Sequence, residues 1–530
     1  MKYVFLFLFT AISFLSFGQS KKLNFKFGEA YTAPNYIADL SFFGNDKDGI
    51  IDVYSKNAKL TIVRFDAKTL KFKGEKTIEI PDASKNFNSE AAVSLNGNCY
   101  WIHSDWNRGD QKELLAYNKI DVEKGALMPG GTNVIEAGRM IADMVPGGIY
   151  QSKAVNKYGF TFSADNKKML MSYRLMPEKG SDRKTFNKAG LHVFDENMNK
   201  LWGTEFMLPY AEKIIRSADY TLDNNGNVYM LVKVYNSGSR DEENKEKKPD
   251  YHYEVLKFTK DSKQVIQAAV PAGDNFINNA KLQVNERNEI FITAVYSKKY
   301  QNGNSDGIFL SVLDQQDKIS PFKNGFYPFP VAELSKFESP SAREKMQKNN
   351  DYSVPNLQVR QVIAEADGST IIACEQYHDF DSPGQSIYIH FLYDNVFVAK
   401  IAADGKLEWV RKIPKRQEDL SPHTLSYKLL KDNTGYYFLY VDNINNLNLA
   451  EDETPKLHIH RKGGQVMLTK IDNSGVITKE VVFDVKNEEN IVVEPTDFKR
   501  VNANQYIGRA GIVKGLQGLN GFKLLLMTVN

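Results

Sequence analysis

Two cysteines in 530 residues, Cys99 and Cys374, are too few for a disulfide framework or a Cys-based zinc site. Charge of one sign is missing too. The 68 Lys and Arg against 65 Asp and Glu leave a formal charge of +3, so the basic footprint of a nucleic-acid binder is not there. Beyond residue 18 there is no long uncharged apolar run, hence no candidate for a membrane-spanning helix in the rest of the chain. Neither H-E-x-x-H nor a G-x-S-x-G elbow occurs, which removes the usual sequence routes to a zinc hydrolase and to a serine nucleophile. No catalytic residue, metal ligand or cofactor is therefore assigned from the sequence. What is there is globular: 42% hydrophobic, 25% charged and 12% aromatic residues exclude extensive disorder.

The first segment reads as a targeting signal. Met1-Lys2-Tyr3 carries one positive charge, the apolar run Val4 to Leu15 is short for a bilayer, and Ser16 and Gly18 stand at −3 and −1 of a cleavage point before Gln19. Residues 1–18 are expected to be a signal peptide, and 19–530 the folded, exported part, periplasmic or extracellular. No cysteine lies near the cleavage point, so a lipid anchor is not expected.

A repeat runs through the remainder. An alternating strand closes on an Asp at Leu60–Asp66, Leu114–Asp121, Leu191–Asp195, Glu254–Asp261, Phe309–Asp314, Val398–Asp404 and Val466–Asp472. The turn residues recur about every 68 positions. A second hairpin precedes each of these, turning at Asn-Gly, Asp-Gly or their relatives, residues that accept positive φ at little cost. Two hairpins per unit make four antiparallel strands. One such sheet alone would leave two open edges and half a core, whereas radial stacking buries both faces.

The turn Asp223-Asn-Asn-Gly226-Asn227-Val-Tyr229 resembles the Asp-x-x-Gly-Asn-x-Tyr inner turns of secreted bacterial β-propellers. That resemblance implies an all-β fold, a single β-propeller. Inner-hairpin turns near residues 47, 97, 166, 225, 287, 368, 433 and 503 give eight four-stranded antiparallel blades, with seven as the alternative because the first turn, Gly44 to Gly49, is a poor one. The last unit has only three strands and Leu23–Phe27 is a spare one, so the N-terminal strand is expected to close the last blade.

Function is less legible. The long segment Ser320 to Pro355 reads as an inserted connection at about 320–355. It carries an aromatic-Pro run with Phe322, Phe326, Tyr327 and Phe329, followed by a short helix capped by Ser339 with Pro340 at its first turn. Those four aromatics are the candidate binding residues, since aromatic side chains are enriched at interface cores. The loops Asn236 to Asp250 and Met176 to Ala189, the latter with Lys179, Arg183 and Lys184, read as solvated tips. His458 and His460, with His378, Asp379 and Asp381, fall short of a metal motif, and Asp46-Lys-Asp48-Gly49 lacks the ligands of a calcium loop. The expected function is a non-catalytic scaffold or protein-interaction module. Its partner would be another envelope or exported protein, with no nucleic acid and no membrane span. The alternative is a hydrolase or lyase acting on a glycan or peptide ligand at the central channel.

Overall fold

In the computed structural model, eight small antiparallel sheets follow one another in chain order and form an eight-bladed β-propeller. The structure describes residues 20–530 apart from 33–37, 82, 130, 142, 147–151, 177–185, 262–264, 286, 301–302, 350–351, 382–388, 460–462 and 514–518. The expected signal peptide over residues 1–18, the Lys179, Arg183 and Lys184 tip, and His460 thus lie outside the described residues. Blades 1 to 7 span 38–79, 88–137, 158–211, 215–269, 276–328, 357–413 and 428–484.

Blade 8 is made from both ends of the chain. Gln505–Val513 and Leu519–Val529 supply its middle, and Leu23–Phe27 pairs along Val529 to Leu525 as its outermost strand. The ring is closed by that strand, as the sequence implies. Leu23 is buried, and Phe25 and Phe27 each meet Phe483 of blade 7 edge-on at 5.2 Å. The innermost strand of blade 8 is broken. Ile491–Val493 and Lys499–Arg500 flank a turn at Pro495–Asp497, because Pro495 cannot donate to the ladder.

The turn aspartates explain the repeat. The buried Asp223 takes the N–H groups of Asn225 and Asn227 on one oxygen, and the Asn227 amide and the Tyr229 hydroxyl on the other. Gly226 occupies φ +90°, which a side chain would strain. Asp195, Asp314 and Asp472 each accept the N–H groups two and four residues on in the same manner. A single carboxylate thus ties the whole turn.

The segment after Ser320 differs from its expected form. Ile319–Pro328 is the fourth strand of blade 5, and the connection proper is confined to about 329–353. The strand bulges between Pro321 and Phe326, with Lys323 and Gly325 both at positive φ, so its Pro and Gly punctuation imitates a loop. Helix Pro340–Asn349 follows, with the Ser339 hydroxyl accepting the Ala342 N–H at 3.3 Å. The two thiols sit in the second strands of blades 2 and 6; both are free and buried.

Candidate functional site

The antiparallel meander puts all second-to-third-strand loops and all blade-to-blade connections on one face of the ring, here called the upper face. The first strand of each blade begins there. In five blades this innermost strand carries a β-bulge near its upper end, at Leu40, Glu90, Ala218, Asn279-Ala280 and Arg360. Bulges re-aim side chains, and the two charged bulge residues, Glu90 and Arg360, both enter ion pairs.

Three ionic clusters lie at this level. In blade 2 the bulge residue Glu90 and the buried Glu113 share the ammonium of Lys157, which reaches across from blade 3 and also bonds Ser104 at 2.7 Å. At the closure seam, fully buried Asp52 of blade 1 accepts from Tyr31 at 2.6 Å and from Tyr54 at 2.5 Å, and faces Arg509 of blade 8 at 3.2 Å. These two clusters staple neighbouring blades.

The third is the most elaborate and borders a cavity. Glu375 interrupts the apolar run Ile371-Ile372-Ala373-Cys374 in the second strand of blade 6 and is completely buried. It takes the Arg360 guanidinium at 3.1 Å, the Lys415 ammonium at 2.7 Å and the Ser426 hydroxyl at 2.5 Å. Lys415 also donates to the Tyr393 carbonyl and to Gln417, which in turn bonds Val441 of blade 7. Arg360 lies against the rings of Tyr393 and Tyr377, at 5.1 and 5.6 Å. Ser426 holds φ +68°, a conformation costing on the order of 1 kcal/mol or more for a non-glycine residue. Above the cluster a cavity of about 390 Å³ opens where the chain enters blades 6, 7 and 8, lined by Arg360, Gln361, Tyr393, His423, Tyr427 and Thr496 among others.

The connection 329–353 forms a second feature of the upper face. Lys412, buried in the outer strand of blade 6, donates to the carbonyls of Leu334 and Lys336 and to Glu338, fastening the connection to the ring. Burial pulls the Lys412 pKa down, against the opposing pull of Glu338 and Glu333. Lys336 then pairs with Glu333 and with Glu451 of the blade 7 loop, and the Phe337 N–H meets the Glu451 carbonyl at 2.7 Å. That loop is tied at its base by Asn446, which bonds Asp442 and both polar backbone groups of Lys456. The blade 4 loop keeps its 245–248 tip exposed, as its charges suggest, while its base is anchored: Glu242 pairs with Lys233, and Arg240 donates to the Glu212 and Lys213 carbonyls.

The four candidate aromatics fall elsewhere. Phe322, Phe326 and Tyr327 belong to the blade 5 strand rather than to the connection, and Phe329 is the first residue beyond it. Tyr327 and Phe329 are buried, Phe326 packs on Tyr296 and Phe309 at 4.9 Å, and Phe322 packs on Phe291 at 5.6 Å. His378, Asp379 and Asp381 lie in the second strand of blade 6 and His458 is buried near blade 7. The Asn45 side chain holds the Asp46 to Asp48 turn by accepting the Lys47 and Asp48 N–H groups. The Glu375 cluster has no local motif, its members being spread over 360–426. One trace exists in the sequence, a lone Glu inside an apolar strand.

No family model and no curated protein matches this chain. Solved structures do. The β-propeller domain of the Trilobed protease from Pyrococcus furiosus aligns with 84% of this chain and 99% of its own length, at 11% identity and a TM-score of 0.33. Pyrococcus horikoshii acylaminoacyl peptidase aligns with 93% of this chain at 10% identity and a TM-score of 0.33, and this chain spans 62% of that one. A protein of unknown function from Dyadobacter fermentans aligns with 74% of this chain and 99% of its own, at 10% identity and a TM-score of 0.29.

Proposed function

We propose that this chain is an exported, non-catalytic propeller that serves as a protein-interaction or scaffold module in an envelope-associated assembly. The observation that carries the reading is the upper rim over blades 5 to 7. There the 329–353 connection and the blade 7 loop are bonded to each other and, through Lys412, to the ring. A rim held in one conformation before binding loses little entropy when a partner docks. The acidic groups in the three seam clusters support it: Glu90, Asp52 and Glu375 each meet a cation from their own or a neighbouring blade, and so are committed to holding blades together. Export rests on the Met1 to Gln19 pattern, and N-terminal sequencing of the mature protein should begin at or near Gln19.

The test is affinity capture of the intact protein from its native envelope, with Lys336→Glu as the comparison. A stoichiometric protein partner that is lost with Lys336→Glu supports the module. Capture without any partner, combined with turnover of a glycan or peptide substrate, would favour the hydrolase or lyase reading instead.

A further inference from the structure

The cavity beside Glu375 has wall side chains whose polar atoms lack hydrogen-bond partners. Among the described residues, three of its lining side chains hold a buried polar atom with no partner: the donors Arg360 Nη2 and the Tyr427 hydroxyl, and the acceptor Gln361 Oε1. Tyr427 as a whole is only 5% exposed, and burial, then the nearby Glu375, push its hydroxyl well above the ordinary tyrosine range, so it is present as a donor. Buried polar groups are normally satisfied, and a donor pair left open at a cavity wall marks where an acceptor belongs. Arg360 and Lys415 share the single carboxylate of Glu375.

We propose that this cavity is a binding site for a small organic carboxylate, received by the Arg360 guanidinium and the Tyr427 hydroxyl. Arg presents a planar fork that matches carboxylate geometry. A volume of about 390 Å³, walled by Tyr393, Tyr427 and Pro422, suits a ligand the size of a monosaccharide or a dipeptide, with the apolar faces taking its body. The site is independent of the rim assigned to a protein partner, so either assignment can fail without the other.

The test is isothermal titration of the full mature protein with glucuronate and with N-acetyl-dialanine, using glucose, the dialanine amide and inorganic phosphate as controls. At least one carboxylate should bind while its uncharged counterpart does not. Binding of glucuronate alone identifies a sugar acid, and binding of the peptide alone identifies a chain terminus. Tyr427→Phe, which removes one hydroxyl and no volume of consequence, should weaken binding roughly 3- to 10-fold at unchanged thermal stability. Arg360→Gln should abolish it. No binding by either carboxylate, tighter binding of phosphate, or affinity unchanged in both variants would overturn the proposal.

Discussion

Stapling the closing strand to the end of the chain tests the ring with one covalent bond. Asn24 and Thr528 are directly opposite in the ladder between Leu23–Phe27 and Leu519–Val529. The bonds from Asn530 N to Lys22 O and from Gly28 N to Leu524 O fix the alternation, making Asn24 and Thr528 a hydrogen-bonded pair. Such pairs have Cα atoms about 5.5 Å apart, within the range a disulfide accepts. Asn24 is exposed and Thr528 half-buried, so replacing both with cysteine disturbs little packing. The bond would close nearly the whole chain into one loop. For roughly 500 residues the chain-entropy relation gives an upper limit of about 6 kcal/mol, and engineered bonds usually deliver about 2–4. The assay is urea unfolding of Asn24→Cys/Thr528→Cys, oxidised and reduced. The midpoint should rise on oxidation and return on reduction, while Cys99 and Cys374 stay reduced inside the second strands. Failure of the introduced pair to oxidise in the folded protein would show that Leu23–Phe27 does not close the ring.

Asp442 is fully buried behind the blade 7 loop, and burial raises its pKa to about 7. Its ordinary value is near 4, so the folded state binds more protons between those limits and stability falls as pH rises from about 4 to about 7. Asp442→Asn should flatten that fall and stabilise the protein at pH 8 by an amount on the order of 2–4 kcal/mol; an unchanged thermal profile across this range would contradict it. Burial raises the thiol of Cys99 to about 11 and that of Cys374 to about 12. Mass spectrometry should therefore find both unalkylated in the native protein and both alkylated once it unfolds; a Cys99–Cys374 disulfide would be incompatible with blades 2 and 6. Lys412→Met leaves Glu338 and two carbonyls without their cation. It should cost roughly 3 kcal/mol and speed proteolysis within 329–353, and equal cleavage rates would show that Lys412 does not anchor the connection.

The parts legible in the sequence are those written in local chemistry. Turn residues such as Asp223 and Gly226 act within a stretch of seven residues, so their spacing reveals the blades directly. The spare strand Leu23–Phe27 is readable because a ring cannot leave one unit with three strands. Where local and tertiary signals conflict, the local one misleads: Pro321, Gly325 and Pro328 read as loop, yet pairing with Gly307–Leu313 and packing of Phe326 on Phe309 keep the segment a strand. The charges of the 236–250 loop correctly suggest an exposed tip at 245–248, but not that Glu242 finds Lys233 on the strand it leaves. The Glu375 cluster is the hardest to foresee. Arg360, Lys415 and Ser426 approach Glu375 only through the folding of blade 6 and the entry to blade 7, and no spacing encodes that meeting.

The claim that the upper rim is the working face is tested most directly by hydrogen exchange on the complex captured from the envelope. Protection on binding should appear in 329–349 and 443–457, with the lower turns at 223–227, 285–289 and 432–435 unchanged. Protection confined to those lower turns, or a captured complex with no protection on the rim, would contradict the account.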